Sequence, residues 1–381
     1  MDRRRLIQLG TAGLIGAALP ARAQTAGGLV PLRLSPSEIF KITVCLRPFR
    51  ATGPRIEAEK IGGKTIIHNY GHGGSGWSLS WGSAAEALRL APSRPLLAKP
   101  QKVAVIGAGA IGLTQALAAQ RAGMQVTIYA RERYPFVRSG GATGSWTPDS
   151  RVALTSAAPT GFADQWERMA RRSWTMHNAY LGLPGAPVEW MDHYHSNSEM
   201  DPALIPANLP PDPGCVYLSN RLHGTIPRGH MVDRELHPFN AELVNVRPTL
   251  IFNIAAYAHQ LEQDFLIAGG RFVPADFASP KDVARLPEKV IFNCTGYGAR
   301  TLWSDETILP VRGQIAWLPP QADVHYGFRY KGIMAMARRD GIIVQQVGPH
   351  DGLGWNDANE APDIDHARLT VAQFRDAYRV V

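Results

Sequence analysis

The chain has 381 residues with ordinary hydrophobic and aromatic content, so it is too long for one small core and suggests two domains. Its formal net charge is +8, of which four arginines and one aspartate in residues 1–23 supply +3, leaving about +5. That excess is spread along the chain, which argues against nucleic-acid binding. The three cysteines, Cys45, Cys215 and Cys294, lack CxxC spacing, which argues against a zinc site and a disulfide framework.

Residues 1–23 have the features of an export signal. Arg3, Arg4 and Arg5 precede a short apolar run, and Ala21-Arg22-Ala23 supplies small residues for cleavage. The run is too short to predict a membrane span. The arginines resemble a twin-arginine signal, which implies a bacterial periplasmic or secreted protein with transient contact to that export machinery. An ordinary secretion signal and an uncleaved anchor are the alternatives.

The segment from residue 24 to residue 101 is predicted to contain strands, a glycine-rich loop and one helix. Its glycines and prolines mark the breaks between these elements. We predict a polar linker and strand-forming residues over 24–60. The segment 61–92 follows, with a short strand over 65–68, a loop over 70–76 and a helix over 80–90. A Pro-rich connector over 93–101 ends this part of the chain.

Residues 102–150 begin with the pattern of a dinucleotide-binding βαβ unit. We predict a strand over 102–107, a helix over 110–122 and a strand over 125–130. Gly107-Ala108-Gly109-Ala110-Ile111-Gly112 lies between the first strand and the helix. Its glycines permit a tight turn, close approach of a pyrophosphate and close helix–strand packing. The segment is therefore predicted to bind a dinucleotide.

Charged residues follow the second strand, where an adenosine ribose is normally held. Glu132 lies about twenty residues after the glycines and is placed to accept hydrogen bonds from ribose hydroxyls. Arg131 equally suits a ribose 2′-phosphate. The pair alone does not decide between FAD and NADP.

The rest of the chain divides into three predicted segments. Residues 151–248 are the hardest to assign and are given to a substrate domain. Residues 249–315 contain apolar residues at helical spacing from Ile251 to Phe265, ended by Gly269-Gly270, and strands over 271–273 and 290–292; they are given to the nucleotide domain. Residues 316–381 return to the substrate domain.

Several short motifs together resemble the D-amino-acid oxidase family. His68 to Ser78, with Trp81-Gly82, resembles the flavin-contacting loop that lies near the carboxyl end of these enzymes. The remaining matches are Leu46 to Arg50, just before that loop in the family, together with Ser139 to Pro148, Asn293 to Gly296 and Pro310 to Ile315. The resemblance spans roughly residues 35–381. The segment that lies near the carboxyl end in the family, however, stands here before the βαβ unit that begins at residue 102.

That order implies a circular permutation. Domain termini often lie close together at the surface, so a chain tolerates being reopened elsewhere. The resemblance predicts an α/β protein with a Rossmann-like FAD-binding domain and a mixed-sheet substrate domain, arranged as a permuted D-amino-acid oxidase.

The resemblance also implies the cofactor FAD and a set of residues that contact it. Backbone N–H groups of the early glycine loop, Gly74 in particular, would stabilise negative charge on the reduced flavin. The predicted cofactor-binding residues are Gly73, Gly74, Ser75, Gly76, Trp77, Ser78, Gly107, Ala108, Gly109, Ile111, Gly112, Arg131, Glu132, Arg133, Ser139, Gly144, Ser145, Trp146, Phe277, Thr295 and Gly296.

Substrate recognition is predicted to depend on Arg47. An arginine fork binds a carboxylate through two hydrogen bonds, and in the family the arginine of this motif grips the substrate α-carboxylate. Arg50 is predicted to form a structural ion pair instead. Tyr330 is predicted to contact the substrate, whereas Met334 stands where many relatives have a second tyrosine.

The histidines of the chain are predicted not to be catalytic. His72 is expected to be a solvated loop residue. His193 and His195 are spaced like metal ligands on a strand, but the sequence offers no third ligand, so a surface loop and no metal are expected.

The implied reaction is oxidative deamination of a D-amino acid, with hydride transfer from Cα to flavin N5. The products are a 2-oxo acid, ammonia and hydrogen peroxide, with oxygen as electron acceptor. One alternative is a related flavin amine oxidase or dehydrogenase acting on glycine, a secondary amine or an acidic D-amino acid; Arg329, Arg338 or Arg339 near the side-chain end would favour acidic substrates. Another is a flavin-binding periplasmic protein without turnover, and an NADP-dependent reductase is a weaker one.

Overall fold

The computed structural model of the chain describes residues 28–92 and 100–379, which form two β-sheets flanked by helices. The strands are β1 (Lys41–Arg50), β2 (Ala58–Ile61), β3 (Lys64–His68), β4 (Lys102–Ile106), β5 (Gln125–Ala130), β6 (Val188–Ser196), β7 (His230–Val232), β8 (Val244–Phe252), β9 (Arg271–Pro274), β10 (Val290–Asn293), β11 (Ile308–Leu318), β12 (Tyr326–Tyr330), β13 (Ile333–Arg338) and β14 (Gly341–Gln346). The helices are α1 (Gly76–Arg89), α2 (Ala110–Arg121), α3 (Phe162–Asn178), α4 (Ile254–Ile267), α5 (Pro280–Val283), α6 (Ala299–Leu302) and α7 (Ile364–Gln373).

The smaller sheet has six strands in the order β2-β3-β10-β4-β5-β9. All neighbouring pairs are parallel except β2 with β3. Its central strands are continuous apolar runs, such as Val103–Ile106 and Val290–Phe292, because helices cover them and both faces are buried. Strand β3, from the early part of the chain, pairs directly with β10 and lies one strand from β4.

The larger sheet has eight strands in the order β1-β11-β14-β13-β12-β6-β8-β7. It is antiparallel except where β12 and β6 run parallel. Strand β1 pairs along its full length with β11, from Lys41 opposite Trp317 to Arg50 opposite Ile308. One face packs on an apolar cluster that includes Phe328, Phe374 and Val344. The other face is turned toward the site described below.

The α/β architecture with mixed sheets confirms the predicted fold class. The predicted strand 102–107 and helix 110–122 each agree with the structure to within one residue. The helix predicted from Ile251 was wrong at its start, because residue 251 belongs to β8 and the helix begins at Ile254. Within residues 151–248, α3 has an amphipathic pattern that the sequence analysis did not identify.

Two of the predicted segments lie wholly or largely outside the described residues. They are the export signal over 1–23 and most of the connector over 93–101. Over the ranges 28–92 and 100–379, no helix is long and apolar enough to cross a membrane.

Candidate active site

One large cavity of about 1420 Å³ lies between the two sheets. The carboxyl ends of β3, β10 and β4 meet at its edge, since the Asn69 amide donates to the Asn293 carbonyl and the Cys294 amide donates to the Ile106 carbonyl. Ligands of open parallel sheets bind at such an edge. The cavity is lined both by the early loop, from Gly71 to Ser78 except for Ser75, and by the later turn, from Gly107 to Ile111. Two segments that are distant in sequence therefore share one site.

The later turn has the geometry that a bound pyrophosphate requires. Gly107 has φ +99°, and a Cβ there would lie 2.6 Å from the Cys294 carbonyl oxygen. At Gly109 the nearest atom to such a Cβ is the Ser139 hydroxyl at 3.1 Å, so the backbone is open to the cavity. Gly112 does not line the cavity; a side chain there would overlap the Gly107 carbonyl, so this glycine serves helix packing and not ligand contact. The amino end of α2 consequently faces the cavity and favours an anion.

The end of β5 carries the predicted ribose contacts, of which two reach the cavity. Arg131 and Glu132 both line it and form an ion pair at 3.5 Å, and Arg131 also lies 3.8 Å from Asp276. The prediction that Arg133 binds the cofactor was wrong. Its guanidinium pairs with Glu262 on α4 at 2.6 Å and stacks 3.9 Å from the Phe272 ring centroid, away from the cavity.

The early loop packs tightly on the segment that follows the predicted flavin-binding stretch. The Gly74 amide donates to the Ser150 carbonyl at 3.0 Å, so this donor is already committed within the protein, contrary to the prediction that it serves a flavin. A Cβ at Gly73 would overlap the Arg151 carbonyl. Ser75 is fully buried and donates its hydroxyl to the His72 carbonyl at 2.7 Å, so the prediction that it contacts the cofactor was also wrong.

The amino end of α1 offers the remaining donors of this loop. No atom lies within 4 Å of a Cβ built on Gly76, so the backbone there is open to the cavity. The Ser78 hydroxyl accepts a hydrogen bond from the Thr147 amide at 2.8 Å, and Trp77 donates its indole N–H to the Ser139 carbonyl at 2.9 Å. These side chains hold the 139–147 stretch in place at the amino end of α1.

Three buried polar groups in the cavity wall have no partner among the described residues. They are His72 Nε2, Trp146 Nε1 and His193 Nε2, of which the first two lie beside the early loop and the 139–147 stretch. His72 is only 2 % exposed, so the expectation of a solvated histidine was wrong, and burial lowers its pKa to about 3. Buried polar groups are normally hydrogen-bonded, so His72 Nε2 and Trp146 Nε1 fit a cavity that holds a polar cofactor.

Arg47 lies in the cavity wall with part of its guanidinium uncommitted. Nη1 donates to the Arg312 carbonyl at 3.1 Å and, more weakly, to the Val311 carbonyl at 3.5 Å. No ion pair to Arg47 occurs within residues 28–92 and 100–379; the nearby acid Asp351 instead pairs with Arg151 at 3.4 Å. Burial lowers the Arg47 pKa to about 10, which still leaves it charged at neutral pH. A partly buried cation without an ion-pair partner is suited to an incoming carboxylate.

The neighbouring Arg50 has the structural role that was predicted. It lies 3.5 Å from Asp305 and donates to the Thr307 hydroxyl at 3.0 Å. Its side chain is directed away from the cavity. The two arginines of the motif therefore differ in function because only one of them faces the site.

The prediction that Tyr330 contacts the substrate was wrong. Tyr330 is buried in the apolar cluster on the opposite face of the sheet, 6.3 Å from the Phe374 ring. It ends β12, and a two-residue turn at Lys331-Gly332 places Met334 on the next strand, where Met334 does line the cavity. The two positions are thus on different strands and opposite faces.

The sequence analysis missed a basic part of the wall. His193 and His195 lie on β6 and face the cavity, so the expectation of a surface loop was wrong; the alternation His-x-His was the available clue. Arg329 on β12 and Arg247 on β8 line the same region. Among the residues that the structure describes, no group of three potential ligands could hold a metal ion.

The remaining predicted cofactor residues are brought together around this cavity. Gly144 to Trp146 run beside the end of β8, with the Phe252 amide donating to the Gly144 carbonyl at 2.7 Å. Together with the residues above, the cavity is lined by Ala108, Ile111, Ser139, Gly144, Ser145, Phe277, Thr295 and Gly296. Their contact with a cofactor stays a prediction.

Comparisons with known proteins identify the family. The family model described as FAD dependent oxidoreductase matches residues 102–379. The chain is 27 % identical over 220 residues to a D-amino-acid oxidase of Streptomyces coelicolor, covering 56 % of this chain and 58 % of that protein. It is 51 % identical over 55 residues to a D-amino-acid oxidase of Dictyostelium discoideum, covering 14 % and 16 %.

The solved structure of glycine oxidase from Bacillus cereus is similar with a TM-score of 0.48 and 13 % identity, covering 73 % of this chain and 78 % of that one. The two curated relatives are matched over 16 % and 58 % of their length, which is less than two thirds in both cases. The family model, in contrast, matches most of the present chain. The chain therefore belongs to the FAD-dependent oxidoreductase family.

Proposed function

We propose that the protein oxidatively deaminates a D-amino acid, giving a 2-oxo acid, ammonia and hydrogen peroxide. The observation that carries the proposal is Arg47, a partly buried guanidinium that forms no ion pair among the described residues and lies in the wall of the cofactor cavity. Bound FAD would supply the acceptor for the hydride that leaves Cα, and oxygen would then reoxidise the reduced flavin. The matched D-amino-acid oxidases support this choice of substrate.

In this proposal the protein's own residues mainly orient the substrate. Among the described residues, Nε and Nη2 of Arg47 have no hydrogen-bond partner, and these two atoms would hold the α-carboxylate in a fixed position. Cavity-facing amides at the amino end of α2 would hold the cofactor pyrophosphate. The first turn of α1 would offer N–H donors to the flavin ring in place of the committed Gly74 amide.

The decisive experiment is an anaerobic absorbance titration of the purified protein with D- and L-amino acids. Wild-type flavin should bleach with D-amino acids, and Arg47→Ala should bleach about 100-fold or more slowly at millimolar substrate while retaining flavin. Arg33→Ala is the matched control, because Arg33 pairs with Asp323 at an exposed site outside the cavity. Bleaching of Arg47→Ala at the wild-type rate would show that another residue holds the carboxylate.

We further propose that the chain order is circularly permuted relative to the family. The family match begins at residue 102, after the early loop and its strand. At the two ends of the described chain, the Tyr326 hydroxyl lies 2.9 Å from the Val30 carbonyl and 3.0 Å from the Tyr378 hydroxyl. The beginning and end of the described chain are therefore adjacent. A relative with the usual order of segments would need this adjacency, because there the two segments follow each other directly in sequence.

We also propose that the protein is exported by the twin-arginine route and acts in the periplasm or outside the cell. Arg4 and Arg5, the paired arginines directly before Leu6-Ile7, motivate this, together with the need to bind a cofactor before crossing the membrane. Replacement of both by lysine should retain the protein in the cytoplasm of its bacterial host. Unchanged export of that variant would contradict the proposal.

A further inference from the structure

We propose that the cavity contains a second anion-binding subsite, which holds a carboxylate or another anionic group at the far end of the substrate's side chain. The subsite, here called the distal basic wall, consists of Arg329, His193, His195 and Arg247. This inference rests on the proposed function, because it specifies the side chain of that amino-acid substrate.

The sheet register places the distal basic wall beside the expected substrate position. Gln345 pairs with Met334, Met334 pairs with Arg329, and Arg329 pairs with His195. All four side chains line the cavity, so they form one row across β14, β13, β12 and β6. Strand β6 also pairs with β8, and there His193 lies opposite Arg247. A row of this kind presents its polar groups to a single bound molecule.

The charges of this wall are not compensated by the protein. Three other arginines that line the cavity are paired: Arg131 with Glu132, Arg138 with Glu360, and Arg151 with Asp351. Arg329 and Arg247, which are solvent-exposed, form no ion pair to any residue that the structure describes, and the same holds for Arg228, another arginine of the cavity lining. Two cationic side chains therefore face a cavity region in which no acid is close enough to pair with them.

The acids that line the same cavity are committed elsewhere. Asp149 accepts hydrogen bonds from the Leu218 and Ser219 amides, both at 2.9 Å. Asp351 accepts from the Tyr217 hydroxyl at 2.8 Å and pairs with Arg151. Since these acids already have partners, none of them occupies the distal basic wall, and its two solvent-exposed arginines stay open to an anionic ligand.

His193 supplies an independent sign of a missing ligand. It is 9 % exposed, and its Nε2 atom is buried without a hydrogen-bond partner among the described residues. The ring lies over Gly327, where a Cβ would be 2.6 Å from Nε2. The ring of His195 is 4.8 Å away, and burial together with the neighbouring cations lowers the pKa of both imidazoles, to about 3 and about 4. A neutral imidazole N–H in this position donates well to an anionic oxygen.

The separation from Arg47 sets the length of the substrate. The guanidinium of Arg47 lies over Gly313 on β11, because a Cβ there would be 2.6 Å from its Cζ atom. Strand β12 is three strands from β11, which is about 14 Å at roughly 4.8 Å per strand. Both side chains line the cavity and each is several ångströms long, so this spacing suits an amino acid with an anionic group two or more methylenes from Cα.

The other two arginines near this end of the sheet do not compete for the role. Arg338 donates to the Ala142 and Thr143 carbonyls and pairs with Asp340. Arg339 pairs with Glu189 at 2.8 Å outside the cavity. Of the three arginines that the sequence offered for an acidic substrate, only Arg329 faces the cavity.

The test compares D-glutamate with its neutral isostere D-glutamine. We expect wild-type kcat/KM to be on the order of 10- to 100-fold higher for D-glutamate, the range of one charge-assisted contact. Arg329→Gln should reduce that ratio to near unity. Arg339→Gln is the matched control and should leave the ratio unchanged. Equal ratios in wild type and Arg329→Gln would overturn the proposal.

A binding measurement separates this proposal from the catalytic one. Glutarate and butyrate, which cannot be oxidatively deaminated, are titrated against the holoenzyme while the flavin absorbance spectrum is recorded. Glutarate should bind on the order of 10-fold or more tightly than butyrate, and Arg329→Gln should remove the difference. If that holds while no amino acid bleaches the flavin, the proposed function fails and the subsite stands. If neutral D-amino acids bleach the flavin while glutarate binds no more tightly than butyrate, the subsite is wrong and the function stands.

Discussion

Individual polar side chains in this site reach the cavity because a glycine of a neighbouring strand leaves space for them. Arg47 and Arg50 belong to the same short motif, yet only Arg47 reaches the cavity, where Gly313 leaves room for its guanidinium. His193 lies over Gly327 in the same manner. Two glycines in the interior of strands, where glycine normally weakens the sheet, thus make space for polar groups that face the site.

The first prediction concerns Gly313→Ala. The added methyl group would displace the Arg47 guanidinium, which is the flexible end of its side chain, so the cost in stability should stay within about 1 kcal/mol. The substrate carboxylate would then be held in the wrong place, and kcat/KM should fall by about 10- to 100-fold. Steady-state kinetics and thermal unfolding of the holoenzyme check this. A variant with normal kcat/KM would show that Gly313 does not position Arg47.

At the scale of elements, the amino ends of α1 and α2 form the cofactor side of the cavity. They converge because β3 and β4 flank β10 in one parallel sheet, so their carboxyl ends share an edge. The stretch from Gly144 to Trp146 completes the wall, held by β8 and by the Ser78 hydroxyl. The glycines of these turns therefore have two distinct purposes, packing at Gly112 and ligand access at Gly109.

The second prediction separates these two purposes. Gly112→Ala should lower the free energy of unfolding of the flavin-free protein by about 1–3 kcal/mol, because the methyl group overlaps the Gly107 carbonyl. Gly109→Ala should change that free energy little but weaken flavin binding, since its Cβ would enter the cavity near Ser139. Denaturant unfolding without flavin and flavin titration measure the two effects. Equal effects of both variants on unfolding would contradict this assignment.

On the scale of the whole molecule, buried histidines couple stability to pH. Burial is the largest cause that lowers the pKa values of His72, His177 and His193 to about 3. Their ordinary value in an unfolded chain is about 6.5. Below pH 6.5 the unfolded chain binds protons that the folded protein excludes, so stability decreases as the pH falls toward 3.

We therefore expect the free energy of unfolding to fall steeply between pH 6.5 and pH 5, above the range in which carboxylates titrate. Each of the three groups contributes a slope that approaches about 1.4 kcal/mol per pH unit. Urea unfolding at several pH values measures the slope of the free energy of unfolding against pH. His177→Gln should reduce that slope by the contribution of one histidine. A free energy of unfolding that is constant over this range would contradict the burial of these imidazoles as neutral groups.

The proposed permutation is tested by restoring the other order of segments. A chain that begins at residue 100, continues to residue 379 and is then joined by a short Gly/Ser linker to residues 28–92 should fold and bind flavin, because Val30 and Tyr378 are adjacent. As a control, a chain reopened inside β14, between Ile343 and Val344, should fail because it interrupts a central strand. Failure of the first chain to bind flavin would count against the permuted reading.

Sequence alone determined the local parts of this protein. The apolar run of β4, the turn from Gly107 to Gly112 and the helix α2 follow from periodicity and from glycine chemistry, which act over a few residues. The motif around Arg47 and the early loop were likewise recognisable by their residues. The fold class, the cofactor and the family followed from these pieces.

Only the tertiary structure decided which side chains face the cavity. A shift of one residue turns a strand's side chain to the other face, which is why Tyr330 proved to be a core residue while its neighbour Arg329 on β12, and Met334 opposite Arg329 on β13, face the site. The orientation of His193 toward the cavity and the commitment of the Gly74 amide to Ser150 are also contacts between distant segments. Such contacts depend on register and packing across the whole chain, and no local pattern specifies them.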